Sequence, residues 1–99
     1  MNHDDLWDLV RQIPVGKCAT YGDLGKALQY PTTGRIVGRL MQNSPDDIPW
    51  WRVVNKKGAL PIEKLNPYAA IDQRQRLEEE GVEFKGDFVD LRKHLWDPL

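Results

Sequence analysis

Cysteine and histidine are almost missing from this 99-residue chain: Cys18 is the one thiol, and His3 and His94 stand at opposite ends. A lone cysteine builds no internal disulfide framework, which fits a reducing, cytoplasmic setting. Two distant histidines and one cysteine leave no cluster with metal-ligand spacing, so neither a metal nor a cofactor is expected. Apolar runs long enough to cross a bilayer are absent, and Met1-Asn2-His3-Asp4-Asp5 lacks a signal-peptide pattern, so no membrane partner is expected. Repeats, low-complexity tracts and linker-like stretches are also missing. The expectation is one domain over 1–99, a monomer, with one modest core and no room for two lobes around a cleft.

Net charge is lacking too, at −1, but its distribution is uneven. Lys17, Lys26, Arg35, Arg39, Arg52, Lys56 and Lys57 face only Asp23, Asp46 and Asp47 across the middle, which is therefore +4 while the remainder is −5. A basic middle with acidic flanks is the pattern of a local phosphate-binding face, though solvated helix faces give the same count.

In chain order, Asp4 or Asp5 can cap a first helix whose apolar stripe is Leu6, Trp7, Leu9, Val10 and Ile13, ended by Pro14 and Gly16. Lys17-Cys18-Ala19 reads as an extended link. Thr20-Tyr21-Gly22-Asp23 has capping-box spacing and opens a second helix, with Leu24, Ala27 and Leu28 inward, that stops before Pro31. Thr32-Thr33-Gly34 opens a third, with Ile36, Val37, Leu40 and Met41 as its buried stripe and Arg35, Gly38, Arg39 and Gln42 opposite. The second and third helices form a helix-turn-helix candidate. Arg35 sits at the cation-disfavouring end of its helix, and Gly38 costs about 1 kcal/mol in a helix interior. Both make sense if a polyanion approaches closely; an exposed arginine and a tolerated glycine are the plain alternative.

Arg52-Val53-Val54-Asn55 reads as a strand, Lys56-Lys57-Gly58 as a turn and Ala59-Leu60 as the return, a small wing. Asn66-Pro67 starts a helix that runs to Glu80 and closes at Gly81, its surface crowded with Arg74, Arg76, Glu78, Glu79 and Glu80. Val82-Glu83-Phe84 and Phe88-Val89-Asp90 can pair as a hairpin, and Trp96 packs the tail. The fold class is thus mainly α with a small β wing, α+β. At its centre stands Ile48-Pro49-Trp50-Trp51-Arg52-Val53-Val54. If that stretch is extended, side chains alternate, so one of Trp50 and Trp51 enters the fold and the other lines a surface or cleft.

In this order Ile13-Pro14-Val15-Gly16, Thr20-Tyr21-Gly22-Asp23-Leu24, Arg35-Ile36-Val37-Gly38, Ile48-Pro49, Arg52-Val53-Val54-Asn55 and Leu77-Glu78-Glu79-Glu80-Gly81 resemble the DNA-binding domain of the O6-alkylguanine-DNA alkyltransferases. Active members carry Pro-Cys-His-Arg where this chain has Pro49-Trp50-Trp51-Arg52. Trp50 then holds the place of the nucleophile and Trp51 that of the histidine that helps deprotonate it. An indole forms no thiolate and the activating base is gone, so no enzymatic activity is expected. Cys18 lies outside the motif and reads as structural. No segment matches the amino-terminal domain of many active members, which again resembles the non-catalytic, alkyltransferase-like branch.

The resemblance implies a winged helix-turn-helix docking in the minor groove of double-stranded DNA, with an O6-alkylguanine rotated out of the helix. Tyr21 matches the tyrosine that crowds the adjacent phosphate, and Arg35 the finger that replaces the lost base. Thr33, Gly34, Gly38 and Arg39 would complete the DNA-binding surface. Tyr21, Met41, Trp50 and Val53 would wall the lesion pocket, with Lys64 the nearest candidate for a basic side chain that probes the lesion. Arg52 is expected to brace the loop rather than touch DNA. Nucleotide excision repair proteins are the implied partners, and a bacterial source would add nucleoid association. A winged-helix transcription regulator reading sequence, an enzyme using Cys18, and an interaction module without DNA binding remain as rivals. The acidic stretch Glu78-Glu79-Glu80 is either a partner surface or a solvated helix end.

Overall fold

The computed structural model describes residues 3–60 and 66–99. Helix α1, His3–Arg11, carries Asp4 and Asp5 in its first turn, rather than as caps, where they favour the positive end of the helix dipole. Its buried face is Leu6, Trp7 and Val10, with Ile13 beyond its end. The supposed link contains a short strand, β1, Ala19–Thr20. Thr20 then caps α2, Tyr21–Ala27, its hydroxyl accepting from the Asp23 amide at 3.2 Å. Thr33 caps α3, Gly34–Met41, in the same manner through the Ile36 amide at 3.3 Å. Within α3 only Val37 is fully buried; Leu40 and Met41 are half-buried and Ile36 is exposed, contrary to the four-residue buried stripe. The corner between the helices is tight because residue 25 has no side chain: a Cβ at Gly25 would press into the Thr32 carbonyl.

Trp50–Arg52 form a 3-10 turn, not extended backbone, and Val53–Val54 follow as β2. β2 pairs in parallel with β1, Ala19 opposite Val53 and Thr20 opposite Val54. The wing is therefore not the expected two-stranded unit. Asn55 still turns the chain back, its Oδ1 accepting from the Lys57 and Ala59 amides, both at 2.9 Å. Gly58 takes φ +90°, a conformation that suits glycine. Ala59 then bridges to Phe88. Helix α4, Pro67–Glu79, is capped by the Asn66 side chain, with proline in its first turn. β3, Phe84–Lys85, and β4, Phe88–Val89, form the antiparallel hairpin, and α5, Leu91–His94, precedes the tail.

Alternation along β2 divides the interior. Val53 joins Leu6, Val10, Ile13, Leu24, Val37 and Ile48 on one side, with Trp96 packed against them. Val54 joins Cys18, Leu77, Val82 and Val89 on the other. The parallel pair thus ties the three N-terminal helices to α4 and the hairpin, and the turn carrying both tryptophans is anchored where the halves meet.

Candidate functional site

A groove of about 700 Å3 opens between α3, the loop after it, the 3-10 turn and the start of α4. Tyr21, Arg35, Gly38, Arg39 and Met41 form one wall; Gln42, Ser44 and Asp46 lead to Trp50; Asn66, Ala69 and Gln73 close the far side. Helical spacing explains the last set, since positions three and four apart share a face. Tyr21 is half-buried, and burial pushes its phenol well above the ordinary range, so it stays a neutral hydroxyl.

The two indoles meet edge to face, with centroids 6.0 Å apart and planes at 87°. Trp50 lines the groove. Trp51 packs against the Cys18–Val54–Leu77 cluster and donates its Nε1–H to Glu80 Oε2 at 2.9 Å. The division of roles expected from alternation holds, but the turn produces it. Arg52 reaches Glu80 through Nε at 3.0 and 3.2 Å and through Nη2 at 2.8 Å, and its Nη1 donates to the Ile13 carbonyl at 2.8 Å. Both side chains of this ion pair are largely buried, at 13% and 15% exposure. Burial alone would raise the Glu80 carboxyl; hydrogen bonds from Arg52, Trp51 and the Gly16 amide, with the Arg52 charge, outweigh it and hold the group below its ordinary value. Arg76 covers Trp51 from 4.8 Å and is tied to Asp72 at 3.0 Å. Gln73, buried behind the groove, donates to the carbonyls of Trp51 and Val53, both at 3.1 Å. The turn carrying Trp50 is held through its neighbours: Glu80 takes the Trp51 and Arg52 side chains, Gln73 bonds the Trp51 carbonyl, and Trp51 and Arg76 meet the Trp50 ring itself.

Residues 2–82 match the family model described as 6-O-methylguanine DNA methyltransferase, DNA binding domain. A DNA base-flipping protein of Vibrio parahaemolyticus is 36% identical over 97 residues, covering 94% of this chain and 93% of that protein. Alkyltransferase-like protein 1 of Schizosaccharomyces pombe is 35% identical over 102 residues, covering 94% and 92%. The chain belongs to this family, in its alkyltransferase-like branch. The S. pombe Atl1 structure, solved in complex with damaged DNA containing O6-carboxymethylguanine, matches with a TM-score of 0.80 at 31% identity, over 95% of this chain and 93% of that one.

Of the residues singled out for this alkyltransferase-like chain, Tyr21, Arg35, Gly38, Arg39, Met41 and Trp50 come together around the groove. Val53 does not: the residue is 1% exposed and packs in the core with Leu6, Val10 and Ile13, on the opposite side of β2 from Val54. Thr33 is exposed and caps α3. Gly34 has a structural duty, since a Cβ there would come within 2.8 Å of the Gly22 amide nitrogen. Lys64 lies outside the described residues. Sequence reasoning missed Asn66, Ala69 and Gln73, whose helical spacing is visible but whose partner face is not. It also placed Glu80 on a crowded surface, whereas the carboxylate turns inward to Arg52 and Trp51. Cys18 is fully buried, and its thiol is pushed up to about 12, first by burial and then by the Glu80 charge, against the opposing Arg52 charge.

Proposed function

We propose that this alkyltransferase-like protein recognises O6-alkylguanine in duplex DNA, holds the base rotated out of the helix in the groove, and transfers no alkyl group. The observation that carries this reading is the Trp50 indole on the groove wall, with Tyr21 and Arg35 lining the same groove. At about 700 Å3 the groove is in the range of small-molecule sites, so a purine with a substituent fits. The relatives support the reading: one is named a DNA base-flipping protein and another is bound to damaged DNA.

In this mechanism Arg35 replaces the extruded base in the stack while Tyr21 crowds the neighbouring phosphate, and Gly38 and Arg39 lie along the backbone. Extrusion costs a few kcal/mol, less where O6-alkylation has already weakened pairing, so part of the selectivity precedes any groove contact. Stacking on Trp50 returns about 1–3 kcal/mol. Met41 contributes an adaptable apolar surface. Trp50 and Trp51 occupy the places of the family's nucleophile and its base, and the Cys18 thiol is buried and protonated at neutral pH, so no thiolate meets the alkyl carbon. The complex dissociates intact or persists as a flag for nucleotide excision repair.

A gel-shift series at fixed salt with guanine, O6-methylguanine and bulkier O6-adducts in otherwise identical duplexes tests recognition. A lesion preference in any sequence context is expected; preference for one sequence regardless of the lesion would replace this reading with a transcription regulator. Duplex carrying a labelled methyl group should leave no label on the protein. Trp50→Cys alone should restore little transfer, because Trp51 supplies no base. Rapid transfer by that variant would refute the account.

A further inference from the structure

We infer that Asp46 is a charge filter on the lesion: it makes the groove favour O6-alkylguanines with a neutral substituent over those whose substituent ends in a carboxylate. The inference rests on the lesion-binding reading above and adds to it the chemical class of adduct that the groove accepts. Arg35 and Arg39 stand on one wall of the groove, and Asp46, on the loop between α3 and Trp50, is the one carboxylate among its described lining residues. Asp46 is exposed, and among the described residues it forms no ion pair with either arginine or with any other group.

Backbone contacts fix where Asp46 stands. The Pro45 carbonyl accepts from the Ile48 amide at 3.5 Å, which closes a turn around Asp46 and Asp47. Ile48 is fully buried and its carbonyl accepts from the Trp50 amide at 2.8 Å, so the turn is anchored next to the tryptophans. The two aspartates part company there. Asp47 reaches Arg11, at the end of α1, at 3.5 Å, while Asp46 is left on the groove. With DNA docked as proposed, Arg35 lies in the base stack and Arg39 along the backbone, so neither is at hand to neutralise Asp46. A docked duplex also takes water out of the groove, which strengthens the interactions of the charge that stays behind. A carboxylate in that place repels an anionic adduct and spares a neutral one, and repulsion of the wrong ligand is as effective a source of specificity as attraction of the right one.

Two like charges about 7 Å apart across a groove that keeps some water weaken binding about three- to tenfold. The test is fluorescence anisotropy of the full chain at fixed salt and neutral pH with two duplexes. One carries O6-carboxymethylguanine and the other its amide, O6-carbamoylmethylguanine, which has nearly the same shape and no charge. The unsubstituted chain should bind the amide about three- to tenfold more tightly than the acid. Asp46→Asn should bring the ratio of the two affinities close to one. Using the ratio cancels the added attraction for phosphate that any lost carboxylate gives both duplexes. Asp47→Asn makes the same change in net charge and should keep the ratio of the unsubstituted chain. Equal affinities in the unsubstituted chain overturn the inference, as does a preference for the amide that survives in Asp46→Asn or falls equally in Asp47→Asn. Failure of the unsubstituted chain to prefer any lesion, O6-methylguanine included, over undamaged duplex would instead refute the functional reading beneath it.

Discussion

Removing Arg52 tests how the recognition turn is held. Its guanidinium makes three close approaches to the Glu80 carboxylate, between 2.8 and 3.2 Å, and a fourth bond to the Ile13 carbonyl. Arg52→Met keeps an aliphatic stem of similar length but leaves the Glu80 carboxylate, 15% exposed, with only the Trp51 indole and the Gly16 amide. Stranding one partner of a buried pair costs about 3–5 kcal/mol. Against a total stability of about 5–15 kcal/mol for a domain, that is a large share. At about 4–8 °C per kcal/mol for this size, the melting temperature should fall by about 12–40 °C. Asp72→Asn is the control: the Asp72–Arg76 pair is half exposed, and exposed i,i+4 pairs are worth about 0.3–0.5 kcal/mol. Urea unfolding at pH 7 followed by circular dichroism measures both. Replacing both members of the buried pair by methionine should recover much of the loss, because the cost lies in the unpaired charge. An Arg52→Met loss below about 1 kcal/mol, or one equal to that of Asp72→Asn, would refute the reasoning.

The remaining expectations are more local. The folded-state Glu80 carboxyl titrates below its ordinary value of 4.5, so its contribution is present above that pH and is lost as pH falls through and below it. Urea midpoints from pH 7 to pH 3 should therefore drop less steeply for Glu80→Gln than for the unsubstituted chain, and parallel acid limbs would contradict the assignment. Gly25→Ala should destabilise by about 1–3 kcal/mol in thermal denaturation, because the added methyl group meets the Thr32 carbonyl and Val37 and the α2–α3 corner must open. Arg35→Ala should weaken lesion binding more than Lys56→Ala; equal losses in the gel shift would reduce Arg35 to one more phosphate contact.

The elements most legible from sequence were those with local causes. Thr20, Thr33 and Asn66 announce helix starts because a side-chain oxygen satisfies amides two or three residues away, and all three do so. The hairpin around Lys85-Gly86-Asp87 and the apolar face of α1 were equally readable. Reading failed where the partner is distant. The resemblance assigned Val53 to the pocket wall, but β2, paired with β1, carries it into the core. Ile36 matched an apolar stripe, but α3 buries too narrow a face to cover it.

The sequence alone therefore determined the helix-turn-helix order and the family, both of which reside in short contiguous patterns. Only the tertiary structure decided that Glu80, among three consecutive glutamates, turns inward to Arg52 and Trp51, and that Asn66, Ala69 and Gln73 complete the groove facing Tyr21 and Arg35. Charge and helical spacing allow any of those glutamates to lie in solvent. It is the parallel pairing of β1 with β2, between segments more than thirty residues apart, that carries the tryptophan turn against α4 and selects one of them.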